Sequence, residues 1–136
     1  NLLYPTISSG HHQLTHDEPG DQPQVHFIVR YIMTQLNAFL QTLDGIQEGP
    51  GTLLDHSAVL ATSDVSLGRS HSLDDMPVMV AGSCGGRLRP GLHYRSGTAE
   101  NASRVLLTLC RAMGLRLEAF GEDEGRVADG LGALEA

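Results

Sequence analysis

The sequence predicts a layered α/β/α domain with a mostly parallel sheet, and three observations lead there. Two segments repeat apolar residues at spacings of three and four, the period of a helix with one buried stripe. Two short, nearly continuous apolar runs lie between them, as in strands covered on both faces. The order is loop, helix, strand, loop, strand, helix, which is the alternation of a layered α/β domain.

Residues 1–24 are polar and without sustained period, and read as a long loop with a short strand at Asn1–Ile7. The first helix spans Pro23–Leu43, where Val25, Ile28, Ile32, Leu36, Phe39 and Leu43 share one stripe. Asp21 is placed to cap its start and Gly45 to end it. Gly49-Pro50-Gly51 is a turn. Ser57–Ser63 and Pro77–Ala81 are the two strands, expected to be parallel neighbours, with a polar loop from Asp64 to Asp75 between them. Gly82–Gly91 is a tight glycine-rich crossing, and Gly91–Arg95 a candidate edge strand. The second helix spans Ala99–Met113, with Thr98 as cap and Gly114 as stop. Residues 1–117 thus form the domain, and 118–136 an acidic, glycine-rich tail.

The nine basic residues are all arginine, so neither a Schiff-base lysine nor a phosphate-loop lysine is present. The net charge is −7, with six acids against Arg126 alone in the last 19 residues. No basic stripe with interleaved aromatics exists for nucleic acid. No apolar run is long enough for a transmembrane helix. The first residue is Asn1, which reads as a fragment or a processed product. Cys84 and Cys110 make no CxxC motif, and their pairing stays open at the level of sequence. There is no GxSxG elbow, no GxGxxG and no phosphate loop.

Two polar clusters carry the candidate chemistry. The first holds His11, His12, His16 and Asp17; the second holds Asp64, directly after a strand, and His71. Imidazole and carboxylate are the usual ligands of zinc and related ions. A crevice at the carboxyl end of a strand is where α/β sheets build sites. His12, His16, Asp64 and His71 are therefore expected to approach one another. The same groups are also common on solvated surfaces. His26 and His56 read as structural, and His93 is undecided.

The strings SGHHQLTHD, GTLLDHS, ATSDVSLGRSHSLDDMPVMVAGSCGGRLRPGLHYR and NASRVLLTLCRAMG resemble the bacterial domain-of-unknown-function family fifteen-fifty-two over nearly the whole chain. Its most specific part is the AG-xx-GG-x-L-x-x-G segment. The resemblance implies the carboxy-terminal half of an alkaline-phosphatase-like fold, in an exported bacterial protein whose amino-terminal half is missing. It also implies a divalent ion (zinc, or calcium, magnesium or manganese) on Asp64, His71 and the His12/His16 group. Val65 stands where that superfamily often has a ligating His, and its nucleophile lies outside this chain. Two functions follow: a metal-dependent hydrolase acting on a small phosphate or sulfate ester, or an exported module that keeps the fold without the chemistry.

Overall fold

The computed structural model describes residues 6–136, which divide into two units. One joins the chain up to Gln41 with Thr62–Pro77; the other joins Thr42–Ala61 with Val78–Ala136. The helices are α1 (His11–Asp17), α2 (Pro23–Asp44), α3 (Leu53–His56) and α4 (Ser103–Ala112). The strands are β1 (Gln47–Glu48), β2 (Gly51–Thr52), β3 (Val59–Thr62) and β4 (Val78–Ala81). The strand expected at Asn1–Ile7 falls largely on residues 1–5, outside the described residues.

The expected layered α/β/α architecture is not found. Among the described residues there are two sheets of two strands each, β1–β2 and β3–β4, both antiparallel, and no parallel sheet of the alkaline-phosphatase kind. The physical reason lies in the connection. Parallel neighbours need a crossover, usually helical, that returns the chain to the starting edge. Residues 63–77 contain no helix, and the Thr62 hydroxyl donates to the Pro77 carbonyl at 2.8 Å, so the chain re-enters beside the point where it left. The strands also alternate rather than being buried on both faces: Leu60 and Met79 are exposed. No strand forms at 91–95.

In the second unit, α4 and the crossing after β4 build a core of Cys84, Leu88, Leu109 and Ala112, flanked by Ala58, Val80 and Val105. Leu107 is fully buried. The glycine-rich crossing is as tight as its composition suggests. A Cβ on Gly82 would lie 2.2 Å from the Ser57 carbonyl oxygen, at φ +90°, so only glycine fits there. α4 starts later than expected, and the Asn101 side chain rather than Thr98 accepts the Ser103 N–H, at 2.9 Å. Gly114, at φ +91°, ends it. The acidic segment 118–136 is held against this core: Leu131 is buried, its N–H donates to Thr108 Oγ1 at 2.7 Å, and Arg111 donates to the carbonyls of Leu117, Glu118 and Ala128. Thr52 and Asp55 form a capping box on α3, which follows the β1–β2 hairpin.

The first unit has a smaller apolar centre, Ile7, Leu14 and Ile28 with Val25 beside them. α1 lies inside the stretch read as loop. It has one buried residue, Leu14, so no apolar period announces it. α2 follows its expected stripe, but Ile28 is its only buried residue. No described helix is long and apolar enough to cross a membrane.

Candidate metal centre

The site is built within the first unit. His12 and His16 stand four residues apart on α1 and therefore on one face, one turn apart. His71 comes from the 62–77 segment, which folds into a short hairpin. Leu67 and Ser72 pair as an antiparallel bridge, and the Ser66 N–H donates to the Ser72 carbonyl at 2.8 Å. His71 sits at the turn with φ +51°, a left-handed conformation that His adopts more readily than most residues. Such outliers concentrate where a side chain must be aimed.

Two contacts press the hairpin onto α1. A Cβ on Gly68 would lie 2.5 Å from Thr15 Cβ, so the backbone there is in close contact with the helix between His12 and His16. The Arg69 guanidinium donates to the Glu18 carbonyl at 2.8 Å. Glu18 is itself a junction. Its buried carboxylate accepts the N–H groups of Gln24 and Val25, at 2.9 and 3.0 Å, in the first turn of α2. This is the capping role expected of Asp21. Burial pushes the Glu18 carboxyl up, but the hydrogen bonds from Val25 and Gln24 outweigh it and leave the group below its ordinary value. The Gln22 side-chain amide closes the other end, donating to the carbonyls of Leu14, Thr15 and Glu18.

The result is a convergence of three imidazoles. His16 Nε2 and His71 Nε2 are 3.1 Å apart, and one ligand nitrogen from each of His12, His16 and His71 lies within 4.8 Å of the others. Ring centroids are 4.9 Å apart for His12–His16 and 4.8 Å for His16–His71. With metal–nitrogen bonds of about 2.0–2.1 Å, tetrahedral ligands stand about 3.4 Å apart, so the His16–His71 spacing already suits one ion. His12 is exposed and can close the remaining gap by a side-chain rotation. Three nitrogen donors suit zinc, copper, nickel or cobalt better than calcium or magnesium, which prefer oxygen.

The other candidate residues lie outside this group. His11 opens α1 and is exposed. Asp17 accepts a hydrogen bond from the Gln13 amide on the same helix. Asp64 is exposed, with the Ser63 hydroxyl 3.5 Å from its Oδ1. In the second unit His56 Nδ1 lies 2.8 Å from Glu48 Oε2, an exposed pair. Cys84 and Cys110 are free thiols, and burial pushes Cys84 up, with Arg87 opposing. The roles of Glu18, Gln22 and Arg69 escaped the sequence reading: Arg69 acts on a carbonyl 51 positions away, and Glu18 and Gln22 act within a stretch read as loop, where no period marks the bend between α1 and α2.

Comparison with known proteins finds no matching family model, no similar curated protein and no similar solved structure.

Proposed function

We propose that this chain binds one divalent transition ion, zinc foremost, through His12, His16 and His71. The convergence of the three imidazole nitrogens within 4.8 Å carries the reading. Three protein ligands leave a fourth position open, the pattern of catalytic rather than closed structural zinc sites. Zinc held by these three imidazoles would supply Lewis-acid chemistry, lowering the pKa of a water toward neutrality. Hydrolysis of a small phosphate or sulfate ester, the chemistry that the family resemblance implies, is the reaction such an ion would be tested for. His12 and His16 would hold the ion on a helix face, and His71 would complete the set only while the hairpin stays docked through Gly68 and Arg69.

The test is the zinc content of the chain purified without chelator, measured alongside His71→Ala and His56→Ala. The expected result is one bound ion, lost with His71→Ala and kept with His56→Ala. Equal metal in both variants overturns the assignment. Hydrolysis of a chromogenic phosphate or sulfate monoester by the zinc-loaded chain, absent in His71→Ala, separates a catalytic ion from one that only ties the hairpin to α1.

A further inference from the structure

The hairpin that carries His71 has no buried residue. Along Thr62–Pro77 every side chain is exposed or half-buried, and Leu67 and Leu73 are 54% and 67% exposed. Apolar burial therefore does little to hold it in place. Its backbone enters the left-handed region at His71 and Asp75, with φ +51° and +52°, conformations that persist outside glycine only while the surroundings impose them. The tip is the turn Gly68-Arg69-Ser70-His71, closed by the His71 N–H on the Gly68 carbonyl at 3.4 Å. Gly68 against Thr15, the Arg69 guanidinium on the Glu18 carbonyl and His71 beside His16 set this tip on α1. An ion shared by the three imidazoles would tie it there more firmly than these polar contacts do.

We propose that the tip is a metal-gated cleavage site: an arginine-specific protease of the trypsin class cuts the Arg69–Ser70 bond when the ion is absent and is refused when it is bound. The proposal rests on the metal site argued above and adds its regulation. Such a protease takes the arginine side chain into an acidic specificity pocket and needs extended backbone on either side of the bond. The docked tip denies both. The guanidinium is engaged with the Glu18 carbonyl at 2.8 Å, and the bond lies at the centre of a tight turn. The released tip offers both, as a polar, exposed loop with arginine at its apex. Arg69 is the only arginine of Thr62–Pro77 and the chain has no lysine, so one bond of the hairpin is open to such an enzyme. Hydrolysis consumes one water and leaves a carboxylate on Arg69 and an amine on Ser70. It parts His71 from the turn that aims it, which makes a transient loss of the ion permanent.

The experiment is digestion of the full chain by trypsin in zinc and in EDTA, with initial cuts followed by mass spectrometry and bound zinc measured on the same sample. Cleavage that follows a brief opening tracks the population of the open form. The open form keeps only His12 and His16, so zinc should slow the Arg69–Ser70 cut by about tenfold or more. The Arg95–Ser96 bond, in a stretch of the second unit without regular structure, should be cut at the same rate in both conditions and controls for effects on the enzyme. Gly68→Val, which sets a side chain against Thr15, should be cut rapidly in either condition. His71→Ala should lose the zinc effect while its circular dichroism is unchanged. A chain that binds zinc yet is cut at Arg69–Ser70 equally fast in both conditions overturns the gate and leaves the metal site standing. Zinc protection that persists in His71→Ala also overturns the gate, because the ion then acts elsewhere. A chain that binds no zinc overturns both readings.

Discussion

The two units of this chain are held together by different means. The second is organised around apolar packing: Cys84, Leu88, Leu109 and Ala112 form a core with Val80 of β4 against it, and Leu107 is fully buried. Among the described residues the first has three buried apolar side chains, and its segments are joined through a polar junction in which Glu18, Gln22 and Arg69 tie together α1, α2 and the hairpin. Apolar packing tolerates changes of pH and ligand, because it depends on area and shape. A polar junction closed over a small core is sensitive to both. The candidate metal site lies in the second kind of structure, where an added ligand has most to stabilise.

The largest effect expected from this contrast is in the apolar unit. Leu107→Ala should cost about 2–5 kcal/mol in chemical denaturation and leave metal stoichiometry unchanged. A loss of metal with this variant would show that the two units are not independent. Next comes metal removal. At a free zinc concentration about a hundred times the dissociation constant, binding adds about 2.7 kcal/mol to the state that holds it. Hydrogen exchange should then show protection gained in α1 and the hairpin and little change in α4. Uniform protection across the chain would count against the contrast.

A smaller effect concerns pH. The folded Glu18 carboxyl titrates below its ordinary value of 4.5, so its contribution is complete above that value and is lost as the pH falls below it. Acid should therefore loosen α1 and the start of α2 before α4, and Glu18→Gln should flatten that dependence. Residue-resolved exchange at pH 3 and 6 reads this directly; acid loosening of α4 first would contradict it. The smallest effect is expected at the capping box of α3. Thr52→Ala should cost about 1 kcal/mol, seen in denaturation, with metal binding unaffected.

The helices were legible because their periods are strong. The stripe from Val25 to Leu43 marks α2 to within a residue, and Val105 and Leu109 mark α4, although its start moved from Ala99 to Ser103. The strands were found at nearly the right residues, but their direction was not. VLAT and VMVA read equally well as parallel or antiparallel, and the polar segment 64–75 does not announce whether it crosses over or folds back. α1 went unread because a helix of seven residues with one buried side chain leaves no period. The His12/His16 spacing was visible in the chain, and on a helix it becomes a shared face.

The sequence by itself determined which residues could ligate a metal, where the long helices run, and that Gly82–Gly91 is a backbone crossing. These depend on residue type and on neighbours within a turn or two. Only the tertiary structure decided that His71 stands beside His16, 55 positions away, while Asp64 does not join them. That selection is made by the bare Gly68 backbone against Thr15 and by the Arg69 guanidinium on the Glu18 carbonyl. Both contacts join parts of the chain far apart in sequence, so no local pattern encodes them.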